Sequence, residues 1–545
     1  MNKIQLFLFA LLFSFNSISQ TNTQSNLITY GQVWGFLKYF HPKPSKMDWD
    51  QVLIKDYDRL KLCGSQDQFD QILDDLISTC GDYKPKKRNI EEYLLFTESM
   101  EWLENSSISI RHREELNRLF KNKPKFKNAY ISKGVFSDNP KLKNEINYPE
   151  GHKTEAIRYL VITRYWNIIN YFCPNRTIIP QNWNEVYAEQ LPRFIAAETA
   201  QSLELCIRYL SSTIKDGHGF LGNKSGSAID YNYLPFYCSN LAEGTFIDYV
   251  KSDSLKNYSI QRLDKIVSID GLSIENYWTE LSKRLAASND YYAQNSTFYF
   301  RQTLKDSVTI TVERDGTLIT ETLHATKEIG LFPKGAVFQN KRKTGFYIDS
   351  ISNISFGYID MGKFKRKNIT KRFKDSLKQV DHLIIDSRNY PNWTIFALGR
   401  TLIKEKTVFA QFRKMNLDFP SAYVYEEARK IGGARKGYEG KVYILVDYMT
   451  MSQAEYTVMG LQQHPNALTI GGQTAGADGD VSPIPMANGN KVFFSGLGVL
   501  YPDGTDAQQA GVKRDIELAR SFEDLKNLKD HTFQATMELI RESKE

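Results

Sequence analysis

Cysteine is scarce in this chain of 545 residues: Cys63, Cys80, Cys173, Cys206 and Cys238 make an odd set without a C-x-x-C pair. Such a set indicates neither a zinc site nor a disulfide framework, and leaves only a local Cys63–Cys80 bridge as an unsupported option. The 8 histidines form no H-E-x-x-H pattern, so no metal site is expected, and nothing calls for an organic cofactor. No apolar run reaches the roughly 20 residues that a membrane-spanning helix needs. A basic block with interleaved aromatics is also missing: the net charge of +7 is spread over 70 basic and 63 acidic side chains, which argues against nucleic acid as a partner.

The hydrophobic share of 41% is ordinary for a globular chain, while the aromatic share of 13% is high and favours well-filled cores or aromatic-lined grooves. At roughly 150 residues per domain the length predicts three or four cores. Met1-Asn2-Lys3, followed by an apolar stretch from Ile4 to Phe13 and small or polar residues through Ser19-Gln20, reads as a signal peptide over residues 1–20. That reading predicts a secreted or periplasmic mature protein without stable membrane insertion.

Two segments repeat each other. Trp34-Gly35-Phe36-Leu37-Lys38-Tyr39-Phe40-His41-Pro42 recurs as Trp166-Asn167-Ile168-Ile169-Asn170-Tyr171-Phe172-Cys173-Pro174, an offset of 132 (166 minus 34). Asp48-Trp49-Asp50 recurs as Asn182-Trp183-Asn184, an offset of 134 (183 minus 49). Both blocks lead into helix-period sequence, so a duplicated helical unit is expected, with copies over 21–145 and 146–225. Cys173 stands where the first copy has His41, which makes His41 structural.

Short strand-like runs follow, among them Phe246–Val250, Lys265–Ile269 ending in Asp270-Gly271, and Val308–Val312 ending in Asp315-Gly316. They define a β-rich module over 226–330. Its stretch from Leu263 to Gly271, with helix-like sequence from Asn276 to Leu285 behind it, resembles the second half of a PDZ domain, a module that takes up extended peptides by strand addition. From about Thr344 strands alternate with helices, which predicts an α/β domain with a parallel or mixed sheet over 331–530 and a tail over 531–545. Functional groups in such folds gather at the carboxyl ends of the strands.

Two residues near that edge carry chemistry. Ser452, in Met451-Ser452-Gln453-Ala454-Glu455-Tyr456, stands where the apolar strand Val442–Val446 gives way to a helix, a position suited to a nucleophile facing free helix amides. Ser452 and Glu455 also have the spacing of a capping box, in which Glu455 caps the helix start. Asp386, in Asp386-Ser387-Arg388-Asn389-Tyr390-Pro391-Asn392-Trp393, ends another buried strand. An oxyanion hole needs two donors, and the backbone N–H of Gln453 with an amide of Asn392 or Trp393 could provide them. Asp216-Gly217-His218-Gly219 puts a histidine between two glycines, so its imidazole can approach another domain as a general base for the serine.

The order of these motifs, with Gly472-Gln473-Thr474-Ala475-Gly476 and Tyr501-Pro502-Asp503-Gly504 after them, resembles peptidase family S41 over about residues 155–520. That family includes the C-terminal processing proteases and the tricorn core protease. The resemblance implies a multidomain α/β protein whose catalytic domain has a mixed sheet of the ClpP/crotonase-like kind, and a serine peptidase acting on a peptide or protein. One branch pairs its serine with a lysine soon after a Gly-x-x-Thr-x-Gly segment. Here Ala477 holds that place, and no lysine or arginine lies between Gln453 and Asn490. The other, tricorn-like branch uses a histidine from the preceding helical domain, which points to His218 beside Ser452. Its histidine is oriented by a late glutamate, for which this chain offers Asp506, Gln508 and Gln509, with Asp216 as another partner. Asp386 and Arg388 are supporting residues. The family's glycine-rich turn is degenerate at Asn389–Trp393, so an inactive peptide-binding relative is the first alternative and a cell-envelope scaffold the second.

Overall fold

The computed structural model describes residues 23–105, 107–135, 137–222, 227–250, 255–327, 345–351 and 354–543. The signal peptide read over 1–20 lies outside these residues.

The duplicated block closes on itself in the same way in both copies. Trp34 Nε1 donates to the carbonyl of Trp49 (2.9 Å) and Trp49 Nε1 donates to that of Trp34 (3.0 Å). Trp166 Nε1 donates to Trp183 O (2.7 Å) and Trp183 Nε1 to Trp166 O (3.0 Å). All four indoles are fully buried, so each N–H needs a partner, and the reciprocal pair supplies it without any other polar group. The helix over 23–40 belongs to the first copy and Glu155–Phe172 to the second. Where they meet, the repeat is broken for space: a Cβ on Gly35 would lie 2.0 Å from the side chain of Asn167, its counterpart in the second copy. Asn167 uses that room to donate to Gly31 O (3.0 Å).

One apolar core runs through both copies and takes in Phe419, Ile484 and Phe494 from the α/β region. A buried charge cluster sits at its edge. Lys38 Nζ approaches Glu145 (2.8 Å) and Asp50 (3.4 Å), and Arg164 approaches Asp50 (2.6 Å) and Glu145 (2.9 Å). Arg164 also donates to Pro485 O (3.0 Å), which ties the helices to a hairpin of the α/β region.

The β-rich module is a sheet in the order Thr317–His324, Ser307–Arg314, Lys265–Ile269, Gly244–Val250, Phe236–Leu241, with helix Ile274–Ser282 beside it. Asp270-Gly271 and Asp315-Gly316 all have positive φ (51°, 79°, 48° and 77°), the requirement of a tight hairpin turn, which Asp and Gly meet at least cost.

The α/β region holds a six-stranded mixed sheet in the order Phe346–Ile351, Ile354–Asp360, His382–Asp386, Lys441–Val446, Ala467–Gly471, Ile516–Glu517. Its first pair is antiparallel and the remaining pairs are parallel. The strands His382–Asp386 and Lys441–Val446 are almost wholly buried, the expected pattern for parallel strands covered on both faces. Helices Ile395–Leu402 and Gln453–Leu461 follow them, where the sequence has helix-like runs over Thr394–Ile403 and Ala454–Leu461. A second sheet around Thr407–Met415 was not foreseen; it recruits Gly498–Leu500 and, through Ala422–Tyr425, the distant pair Leu94–Leu95. A three-stranded sheet, Val481–Pro485, Lys491–Ser495 and Leu221–Gly222, brings the end of the helical region onto the α/β region.

Candidate active site

Ser452 lies at the carboxyl edge of the parallel sheet, six residues beyond Val446, and is the N-cap of helix Gln453–Leu461. Its backbone has φ 58° and ψ −124°, a region that a residue with a Cβ rarely occupies and that costs on the order of 1–3 kcal/mol. Such strain persists only when surrounding bonds over-determine it, and Glu455 provides them. This fully buried carboxylate accepts from the N–H groups of Ser452 (3.1 Å), Gly476 (2.7 Å) and Ala477 (2.9 Å) and from the hydroxyl of Thr474 (2.6 Å). It pins the serine turn to the loop after strand Ala467–Gly471.

Burial pushes the Glu455 carboxyl up to about 6, against the pull of those four donors. A folded value above the unfolded one means that the folded state holds the proton more tightly. The group's contribution to stability is thus present below about pH 4.5 and is lost as pH rises through 6, about 2 kcal/mol in all. Glu455→Gln replaces one acceptor oxygen by a donor facing other donors and is expected to cost about 2–3 kcal/mol. In thermal or urea unfolding, the wild-type advantage over this variant should narrow from pH 4.5 to pH 7; a gap that widens over that range would contradict the assignment.

Asp478, next to this group, was not singled out by the sequence. It is buried, accepts from Gly479 N–H (2.7 Å) through Oδ1 and has no hydrogen-bond partner at Oδ2 among the described residues. Burial, together with the charge of Glu455, pushes its carboxyl well up.

The Asp386 turn lies beside helix Gln453–Leu461. Gln453 Nε2 donates to Pro391 O (3.3 Å), and Asn392 Nδ2 donates to Gly362 O (3.2 Å) and Phe364 O (2.9 Å), so the side chain of Asn392 anchors the turn. Trp393 is 61% exposed, with its ring nearly parallel to Tyr456 (centroids 6.2 Å apart, 9° between planes). As the first residue of its helix, Gln453 has an amide with no intrahelical acceptor. Asp386 itself is committed to structure. Burial alone would raise its carboxyl, but the Arg388 guanidinium at 2.9 and 2.8 Å outweighs burial and holds it below the usual range. Arg388 also clasps Asp530 (2.7 and 2.9 Å), at the start of the C-terminal helix His531–Glu542.

His218 lies in the turn between helix Ala200–Ser212 and strand Leu221–Gly222 and is 5% exposed. Gly217 brings this turn against the serine loop: a Cβ there would lie 2.9 Å from Ala477 Cβ and 3.2 Å from Met451 Cε, so only glycine allows the approach. Around the imidazole, Asp216 is a hub. Its Oδ1 accepts from His218 N–H (2.9 Å), the Ser495 hydroxyl (2.9 Å) and Gln508 Nε2 (3.1 Å), and its Oδ2 accepts from Ser495 N–H (2.6 Å). Asp216 Oδ1 is 3.9 Å from His218 Nδ1, beyond a direct hydrogen bond, whereas Ser495 Oγ is 2.9 Å from that nitrogen. Burial lowers the imidazole below its ordinary range, with the carboxylates of Asp216 and Asp480 opposing it.

Asp506, considered above as the orienting group, is placed elsewhere: its Oδ1 pairs with Arg413 Nη2 (2.8 Å). Gln508 reaches Asp216 but has no hydrogen bond to the imidazole among the described residues. Ser495 escaped sequence reasoning because a serine in a strand carries no signal; only the pairing of Lys491–Ser495 with Leu221–Gly222 brings it to His218.

The chain matches no curated protein. Among solved structures, it is similar to mature CPAF complexed with lactacystin, with 13% identity, a TM-score of 0.53, and coverage of 69% of this chain and 96% of that one. This is a likeness of fold. The photosystem II D1 C-terminal processing protease (14% identity, TM-score 0.37, 66% and 92% covered) and the tricorn protease (14%, 0.37, 71% and 37%) share less. Residues 355–518, which hold the Asp386 turn, Ser452 and Glu455, match the family model described as Peptidase family S41.

Proposed function

We propose that the protein is a secreted or periplasmic serine peptidase in which Ser452 attacks a peptide carbonyl and His218 is the general base. The strained N-cap geometry of Ser452, beside the glycine that lets the His218 turn approach, carries this reading. Ala477 is fully buried where the lysine branch would have its base, which favours the histidine branch.

In the first step the serine oxygen bonds to the carbonyl carbon while His218 takes the hydroxyl proton. The oxyanion is met by the N–H of Gln453 and an amide of the Asn392–Trp393 turn. Collapse breaks the C–N bond as His218 returns its proton to the leaving amine, and water then hydrolyses the acyl-enzyme by the same sequence. The β-rich module is the PDZ-like element that holds the extended substrate. No helix among the described residues is long and apolar enough to cross a membrane.

A fluorophosphonate probe tests the nucleophile directly. Purified mature protein is expected to be labelled at Ser452, with labelling lost in Ser452→Ala and strongly slowed in His218→Ala. A folded wild type that resists the probe would favour an inactive peptide-binding relative instead.

A further inference from the structure

We propose that His218 is oriented and charge-compensated through a hydroxyl, with Ser495 as the positioning residue that links the imidazole to the carboxylate of Asp216. This inference rests on the serine–histidine reading above.

The hydrogen-bond polarity of the cluster decides the matter. Asp216 Oδ1 receives the Ser495 hydroxyl proton at 2.9 Å, and its other partners, His218 N–H, Gln508 Nε2 and Ser495 N–H, are all donors. A serine hydroxyl has one proton, so once this is given to Asp216 its oxygen can only accept. The contact of 2.9 Å between Ser495 Oγ and His218 Nδ1 therefore places a proton on Nδ1 and leaves the lone pair on Nε2, the tautomer a general base needs. When His218 takes the serine proton, the developing imidazolium donates more strongly through Nδ1. Ser495 passes that polarisation to Asp216, at 3.9 Å the nearest carboxylate, while its own proton stays on Oγ. Gln508, an amide, contributes no charge; it helps hold Asp216 in place.

The fold makes this link rigid. Ser495 ends a strand paired with Leu221–Gly222, and its backbone and side chain both bind Asp216, two residues before His218. Phe493, two residues earlier on the same face of the strand, stacks on Phe220 (centroids 4.7 Å, 25°), so both residues flanking the Gly219 bend are braced by one strand. The charged groups facing the imidazole are Asp216 on its own turn and Asp480 from the loop before strand Val481–Pro485. The Asp480 side chain accepts from Ser137 and from Val481 N–H and does not bridge to the ring.

The test compares kcat/KM against pH for wild type, Ser495→Ala, Ser495→Thr and Asp216→Asn on a peptide selected from a library. Ser495→Ala is expected to lose about 100-fold or more, on the scale of a mis-set histidine tautomer. It should also move the acidic limb of the profile to lower pH, because the imidazolium loses its stabilising link. Asp216→Asn should move that limb in the same direction, and Ser495→Thr, which keeps the hydroxyl, should restore most of the activity. An acidic limb that stays put in Ser495→Ala would overturn the proposal, since a merely structural role changes amplitude alone. Nitrogen-15 NMR of the wild-type histidines reads the tautomer without any variant: a proton on Nδ1 of His218 is expected, and one on Nε2 sinks the idea. Full activity in His218→Ala would instead remove the underlying serine–histidine reading.

Discussion

Ser452→Ala is expected to lower kcat/KM for peptide hydrolysis by about 10⁴-fold or more while leaving the fold intact, the scale seen when a covalent nucleophile is deleted. The fold survives because the strain at Ser452 is held by backbone and by Glu455: the N–H of residue 452 still donates to Oε2 and the buried carboxylate keeps its four donors. His218→Ala should cost nearly as much, and the double variant little more than either single one, because the two groups act on one proton. Activity is measured on a mixed peptide library by mass spectrometry, with circular dichroism as the fold control. Cleavage that persists in a folded Ser452→Ala protein would exclude the nucleophile. The background left in both variants would come from binding and from the amides of Gln453 and the Asn392–Trp393 turn.

Arg388→Ala should produce the largest loss of stability of any single change near the site, about 3–5 kcal/mol, because it strips the partner from two carboxylates. Asp386 and Asp530 both take two hydrogen bonds from this one guanidinium, and Asp386 also accepts from the Tyr358 hydroxyl (2.5 Å). The guanidinium, 11% exposed at its side chain, is thus the pin between the end of strand His382–Asp386, the proposed oxyanion turn and the C-terminal helix. Arg388→Lys should recover only part of the loss, since an ammonium has three donors and no planar fork and cannot replace the four hydrogen bonds that the guanidinium gives to the two carboxylates. Because Asp386 titrates below its unfolded value, its contribution is present above about pH 4 and fades as pH falls, so the gap between wild type and Arg388→Ala should close on acidification. Urea unfolding at pH 7 and pH 3 measures both effects. A variant within about 1 kcal/mol of wild type at pH 7 would show that the cluster does not hold the turn.

Much of the α/β fold was legible because parallel strands buried on both faces are written as continuous apolar runs. Leu383–Asp386 and Val442–Val446 are such runs, and the helices after them have a 3.6-residue period; the structure places both kinds of element within one or two residues of the reading. The tryptophan repeat was legible for a related reason. A buried indole N–H demands a carbonyl, and the paired spacing in both copies satisfies that demand identically. Ser452 could be found because a hydroxyl at a strand-to-helix turn is a local pattern. The short sheet joining Leu94–Leu95 to Ala422–Tyr425 could not, since its partners are separated by more than 300 residues and each is too short to carry a period.

What the sequence by itself determined is the set of local commitments: which runs become strands and helices, where Asp-Gly turns reverse the chain, which serine heads a helix and which histidine has glycines on both sides. Those follow from backbone freedom, side-chain period and capping, which act over a few residues. Tertiary structure decided the partnerships. Asp506 went to Arg413, Asp386 to Arg388, and the imidazole of His218 received the hydroxyl of Ser495, 277 residues away. Hydrogen bonds act over about 3 Å, so which donor meets which acceptor depends on how the sheets and the helical repeat come together, and a polar residue in a strand looks the same in sequence whether it faces water or a histidine.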